Sequence, residues 1–472
     1  MELEQIYEIF LRCGGRLTTD SRKISGGELF LALKGENFDG NLYAMKALEA
    51  GAAYAVVEKS CPDTDGRLIF VDSTFQTLRA LASLHRESLR VSGGRLPVIA
   101  LTGTNGKTTT KELIRAVLST RYRVSATQGN LNNDIGVPLT LLSFTGQTQI
   151  GLVEMGASHP GDIVSLVEVA HPDYGLITNV GKAHLLGFGS FEGVKKTKGE
   201  LYDYIATAPS SSRIVFVNQD NEHLREMLGE RPGLKAVPYG VHSEGARLLP
   251  CDAEHPFLRL VVDGLEIDTR LVGAYNADNV MAALAVGRYF GVELKDAAAA
   301  ISAYEPANSR SQMLRTSRNT LIVDAYNANP SSMEVALDNF AGIVADCKIA
   351  LLGDMRELGE DSAAEHLKLR RRVESMIASG QLTSACFVGS EFRIFRGPCR
   401  LPSQKTDRGS DHSDKGLPRC AYGERHRRTP LIVRVLWPCH RLCGGGAGED
   451  RIRSKGWRQR NCPRVRGWSP HT

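Results

Sequence analysis

Residues 96–120 read LPVIALTGTNGKTTTKELIRAVLST. An apolar, strand-like run gives way to Gly103-Thr104-Asn105-Gly106-Lys107-Thr108-Thr109, and then to a segment of helical period. This order of strand, glycines, lysine, hydroxyl and helix is what a phosphate cradle requires. Gly103 and Gly106 let the backbone turn tightly and aim N–H groups inward, and the positive end of the helix dipole adds to them. Lys107 is placed to neutralise the outer phosphates of a nucleotide, and the Thr108 hydroxyl to bind Mg²⁺. The ordinary P-loop spacing would want a glycine at position 101, where this chain has Leu101, so the loop is a shortened variant.

Working outward, other short apolar runs alternate with helical periods: GLVEM (151–155), YGLITNV (174–180) and RIVFVN (213–218). Near-continuous apolar strands separated by helices predict an α/β fold, a parallel sheet covered on both faces. Such sheets bind ligands beyond the carboxyl ends of their strands, so the residues just after these runs are the candidates for chemistry. The 472 residues suffice for about three domains. One boundary is expected in the glycine-bearing VSGGRLP before Val98 and another near Pro306, which gives 1–95, 96–305 and 306–392.

The net charge of +5 is unevenly distributed. Of 58 basic and 53 acidic residues, 19 and 6 lie in 393–472, which leaves 39 basic against 47 acidic, a net of −8, in the first 392. The body is thus a mildly acidic globular protein, and the basic excess gives no reason to expect nucleic-acid binding. All three tryptophans, half of the ten cysteines and seven of nineteen prolines also fall in 393–472. The expectation is an aberrant basic tail, from a shifted reading frame and disordered, with no strand or helix beyond Phe392 and a truncated third domain. There is no run of eighteen apolar residues, and the acidic start MELEQIYEIF is unlike a signal peptide. No membrane insertion and a cytoplasmic location are expected.

Two strand ends after the cradle carry further candidates: Glu154 in GLVEMGASHPGDI and His184 in TNVGKAHLLGFGS. Taken singly, an acid after a strand is usually solvated and a loop histidine usually idle. Together with GTNGKTT, both phrases resemble the Mur ligases, which share the shortened loop with the folylpolyglutamate synthases; both groups join an acid to an amine through an acyl phosphate. The resemblance implies an ATP-dependent C–N ligase of three-domain architecture, with a central P-loop-type parallel sheet and a Rossmann-like third domain. It implies Thr108, Glu154 and His184 around Mg²⁺. Lys198 in VKKTKGELY matches the family lysine that is carbamylated, and so would offer oxygens to the metal. A plain ammonium would repel the ion, and carbamylation needs the neutral amine, so its surroundings should favour deprotonation.

Asn276 and Asn279, one helical turn apart in GAYNADNVMAALAVGRYFG, resemble the adenine-contacting segment; an ordinary helix cap at Asn276 is the alternative. Asp324 in LIVDAYNANPSS is implied for the ATP ribose and Arg310 for the phosphates. The N-terminal TTDSRKISGGELFLALKGENFDG resembles the uridine-diphosphate-binding domain, with Ser21 and Arg22 on the nucleotide. TQGNLNNDIGVPLTLL, DAYNANPSSME and LLGDMRELGE resemble the dipeptide-adding branch. That branch implies UDP-N-acetylmuramoyl-tripeptide and D-alanyl-D-alanine as substrates in peptidoglycan precursor synthesis, and a monomer. Two other readings stand beside it: a related ligase such as a folylpolyglutamate synthase, and an inert nucleotide-binding product of a damaged gene.

Overall fold

The computed structural model describes residues 2–392, apart from short gaps at 36–37, 60–65, 92–93, 210–212, 252–254, 307–309, 311, 317–318 and 346, together with the backbone of 431–436. The chain begins with α1 (Leu3–Arg12), β1 (Leu17–Thr18) and β2 (Leu29–Leu31). There follow a small hairpin of β3 (Lys34–Gly35) and β4 (Phe38–Asp39), then α2 (Ala44–Glu49), β5 (Tyr54–Glu58), β6 (Leu68–Val71) and α3 (Thr74–Ser88). Strands β1, β2, β5 and β6 form a four-stranded parallel sheet in that order.

A second hairpin, β7 (Arg90–Val91) with β8 (Gly94–Arg95), leads to β9 (Val98–Thr102) and α4 (Lys107–Leu118). The sheet grows through β10 (Val124–Ala126), α5 (Gly136–Leu142), β11 (Ile150–Glu154), α6 (Asp162–Ala170) and β12 (Tyr174–Ile177). It continues through α7 (Leu185–Phe188), α8 (Phe191–Thr207), β13 (Ile214–Asn218), α9 (Glu222–Gly229) and β14 (Lys235–Tyr239). The six strands are all parallel, in the order β10-β11-β9-β12-β13-β14. Every residue of β9 is buried, as a strand covered on both faces demands. Its side chains alternate between two cores: Val98 and Ala100 enter one, Ile99 and Leu101 the other.

The second core is closed by a three-stranded antiparallel sheet of β15 (Arg247–Leu249), β16 (Arg259–Val262) and β17 (Leu265–Asp268), with α10 (Ala277–Tyr289) and α11 (Leu294–Ala303). The first core runs without a break from Ile6 and Phe10 of α1 through Leu78 and Leu81 of α3 to Val153, Leu166 and Leu201 around the six-stranded sheet. Where the sequence suggests separate N-terminal and central cores, α3 packs against the central helices and joins them. Arg86, fully buried on α3, donates to the Ala170 and His171 carbonyls and pairs with Asp173 at 2.8 Å.

Residues 1–307, 329–343 and 356–365 make one compact unit, which includes α12 (Pro330–Gly342). The other unit contains β18 (Gln312–Arg315), β19 (Asn319–Val323), β20 (Lys348–Gly353), most of α13 (Ser362–Ala378), β21 (Ser384–Val388) and β22 (Leu431–Leu436). Its sheet runs β18-β19-β22-β20-β21, parallel except for β18. The last strand corrects one expectation, because regular structure does not end at Phe392. LIVRVL, between Pro430 and Pro438, is an apolar run with three β-branched residues, and the slot between β19 and β20 offers it two ladders. Composition averaged over eighty residues conceals a run of six. The remainder of 393–472, with the reading-frame call made on it, lies outside the described residues. Among the described residues no helix is long and apolar enough to cross a membrane.

Candidate active site

The loop after β9 bends as its glycines allow. Gly103 has φ 141°, and a Cβ there would lie 2.0 Å from the Thr178 hydroxyl oxygen; Gly106, with φ 80°, precedes α4, and a Cβ there would lie 2.6 Å from Asn279 Oδ1. Any side chain at either position would collide with its neighbours as well as strain the backbone. Lys107 opens α4, its ammonium donating to the Gly103 carbonyl at 2.7 Å and the Thr104 carbonyl at 3.1 Å, so a fixed positive charge sits inside the turn.

The second wall comes from the end of β12. Asn179 Oδ1 accepts from the Asn105 N–H at 2.9 Å, its amide donates to the Asn105 carbonyl at 3.0 Å, and Thr178 donates to the same carbonyl at 2.7 Å. The sequence reading missed Asn179 and Thr178. The available signal was their position just after an apolar strand, the place already marked for ligand contacts.

Thr108 and Glu154 come together as expected. The Thr108 hydroxyl donates to Glu154 Oε1 at 3.0 Å, and the Asn132 amide donates to the same oxygen at 3.0 Å. Glu154 is buried, and among the described residues its Oε2 has no hydrogen-bond partner and its nearest cation is the fully buried Lys111 ammonium, 3.8 Å away. Asn132 lies within the TQGNLNND phrase, and Lys111 is the fifth residue of α4. No cluster of three or more His, Cys, Asp or Glu that could hold a metal occurs among the described residues. Mg²⁺ does not need one: it keeps several waters and takes one or two protein oxygens with the substrate phosphates. A buried carboxylate oxygen without a hydrogen bond, beside a threonine hydroxyl, fits such an ion.

Lys198 lies on α8, 2% exposed, with Nζ 3.4 Å from the Ala157 carbonyl and 5.3 Å from the centre of the Phe188 ring. Burial, aided by the charge of Lys107, holds its pKa well below the ordinary lysine value, against the opposing pull of Asp162 and Glu200. That is the direction the neutral amine needs. His184 has left-handed backbone, φ 51°, immediately before α7, and its Nδ1 lies against the Glu357 carboxylate.

Asn276 and Asn279 are both buried, the first at the N-cap of α10 and the second in its first turn. Asn279 accepts from the Thr110 hydroxyl at 2.9 Å and donates to Asn276 Oδ1 at 2.9 Å, while Asn276 donates to the Val272 carbonyl at 2.9 Å. Asn276 stands at the cap position without capping the helix by its side chain. In this structure the pair braces the cradle from behind. In the four-stranded module, Ser21 and Arg22 form a single 3₁₀ turn, and Arg22 binds both oxygens of Asp20, at 2.8 and 2.9 Å. Arg310 and Asp324 belong to the other unit, where the Arg310 guanidinium stacks 3.8 Å from the centre of the Tyr326 ring and Asp324 follows β19 directly.

Three family models match in chain order: "Mur ligase family, catalytic domain" over 16–76, "Mur ligase middle domain" over 101–287 and "Mur ligase, glutamate ligase domain" over 309–384. The chain belongs to the Mur ligase family. Among its relatives in that family is the UDP-N-acetylmuramoyl-tripeptide–D-alanyl-D-alanine ligase of Bacillus subtilis, 35% identical over 351 residues, covering 73% of this chain and 74% of that one. The ligase of the same name from Escherichia coli is 33% identical over 360 residues, covering 75% and 77%. In structure the chain is similar to MurF from Acinetobacter baumannii, with a TM-score of 0.69, 30% identity, and coverage of 80% of this chain and 81% of that one. The Mur ligase middle-domain match spans every feature of the cradle, from Leu101 through Glu154, His184 and Lys198 to Asn279.

Proposed function

We propose that this chain joins D-alanyl-D-alanine to UDP-N-acetylmuramoyl-tripeptide at the expense of ATP, releasing ADP and phosphate, in peptidoglycan precursor synthesis. The observation that carries the reading is the cradle itself, where Lys107 is fixed inside the turn and the Thr108–Glu154 pair sits at its edge. The relatives named above supply the substrates. A carboxylate repels nucleophiles, so it must first be made an electrophile. An oxygen of the tripeptide carboxylate attacks the γ-phosphorus, the bond from that phosphorus to the bridging oxygen breaks, and ADP departs. The dipeptide amine then attacks the acyl carbon, the bond from that carbon to the phosphate oxygen breaks, and the amine loses its proton.

Lys107 and the loop N–H groups bind the γ-phosphoryl oxygens as charge develops on them. Bound Mg²⁺ would offset the repulsion between carboxylate and triphosphate; Thr108 and Glu154 would hold it, with His184 and a carbamylated Lys198 completing the site. Asn276 and Asn279 orient the segment that meets the adenine, Asp324 takes the ribose, Arg310 the phosphates, and Ser21 and Arg22 the uridine diphosphate. The chain works as a monomer.

Oxygen transfer tests the acyl phosphate. With ¹⁸O in the tripeptide's terminal carboxylate, one labelled oxygen should appear in each released phosphate, and unlabelled phosphate would exclude the route. The Lys198 carbamate should give a ¹³C signal from labelled bicarbonate that is absent in Lys198→Arg; a signal of equal size in the variant would refute it.

A further inference from the structure

The turn Arg356–Glu360, within LLGDMRELGE, takes no part in the chemistry above, yet it meets the site at a strained point. Four non-glycine residues among those described have left-handed backbone, and two of them, His184 (φ 51°) and Glu357 (φ 63°), touch. A residue with a Cβ is strained in this conformation, and it persists where surrounding contacts impose it. Those contacts are present here. The Glu357 carboxylate lies against His184 Nδ1, a buried nitrogen that has no hydrogen-bond partner among the described residues, and the Glu357 carbonyl accepts from the Leu186 N–H at 3.2 Å. Gly359 is packed so closely on Leu186 that a Cβ would lie 3.0 Å from its side chain. Two further bonds pin the same loop: Lys182 N–H to the Ser331 hydroxyl at 3.0 Å, and Lys182 Nζ to Glu365 at 3.2 Å. From His184 the contacts pass inward. Its ring stands edge-on to Phe188, with centres 6.2 Å apart, and Phe188 covers Lys198.

We propose that Glu357 is a positioning residue: its carboxylate, set against the buried His184 Nδ1, is the acceptor toward which an Nδ1–H turns, and its carbonyl accepts from Leu186 N–H, so the 356–360 turn sets the tautomer and orientation of the His184 ring. A histidine held this way presents Nε2 as its lone-pair nitrogen. This inference rests on the functional reading above, because it matters only if His184 serves the ligation.

The test compares Glu357→Gly, Glu357→Gln and His184→Gln, alone and combined, in the full chain. Glycine accepts φ 63° without strain, so Glu357→Gly should melt no lower than the parent. Its kcat should fall by about tenfold or more, the loss typical for a residue that orients a ligand through a hydrogen bond, with KM for ATP and for the dipeptide unchanged. Glu357→Gln keeps an acceptor and should recover most of the rate. In the His184→Gln background, Glu357→Gly should cost nothing further. A Glu357→Gly enzyme of parental kcat, or one whose loss is undiminished in that background, would overturn the proposal. If the parent shows no substrate-dependent ADP release, the functional reading has failed instead. The ring ¹⁵N signals of His184 then still decide the contact, since Glu357→Gly must shift them and unmoved signals would exclude it.

Discussion

Lys107 opens α4 and donates to two carbonyls of its own loop, which fixes its charge inside the turn. Lys107→Ala should keep the fold while phosphoryl transfer falls by about 10²–10³-fold, the usual loss when a preorganised electrostatic partner is removed. Retention of full ADP release would remove the cradle from the account. Glu28 gives a pH-dependent counterpart in the first module. Arg16 pairs with its buried carboxylate, and the hydrogen bonds donated by Ser25, its hydroxyl foremost, and by Gly26 bring its pKa down to about 2. With the folded value below the unfolded one, its stabilisation is complete above about pH 4.5 and is lost as pH falls through about 2. Glu28→Gln should cost about 1–3 kcal/mol at pH 7 and progressively less below pH 4.5. A deficit that does not change with pH would contradict this. At this scale the sequence showed the residues that stand in consecutive phrases, the cradle and Glu154. It hid Asn132, Lys111 and Asn179, whose contacts join residues that are ordinary polar side chains until the sheet brings them together.

Strands β9, β11, β12 and β13 were legible because each is a dense apolar run bounded by polar loops, which is how a strand buried on both faces reads. The three-stranded antiparallel sheet was not, since its strands are three or four residues long and partly exposed. Strand β22 was hidden for another reason: the surrounding arginines, prolines and tryptophans dominated the composition, while the run itself satisfies β propensity. Its ladder makes a direct prediction. Val433 is paired with Leu321 on one side and Ile349 on the other. Val433→Pro removes an N–H from the middle of the sheet and with it a ladder hydrogen bond, which central strands do not tolerate. Limited proteolysis should then cut within 312–392 much faster than in the parent and leave 1–307 intact. Unchanged protection of 312–392 would show that LIVRVL does not hold the sheet.

For the whole molecule, the continuous core from α1 through α3 to the six-stranded sheet predicts that the first two modules unfold together. Calorimetry of the full chain should show one transition covering residues 1–307, and a separate earlier melting of the four-stranded module would mean that the cores are independent. The central parallel sheet was legible from run length and period, whereas the three-module plan came from chain length and the resemblance to the Mur ligases. The fusion of the first two modules was not legible, because it depends on α3, whose buried Arg86 looks in the sequence like a surface residue on an amphipathic helix. The chemistry of this body is ATP-dependent amide-bond ligation. It is tested most directly by ADP release from the full chain with MgATP, UDP-N-acetylmuramoyl-tripeptide and D-alanyl-D-alanine, each omitted in turn. We expect sustained release only when all are present, with one ADP per amide bond formed. Release that ignores the dipeptide, or that requires a folate and glutamate instead, would contradict the account.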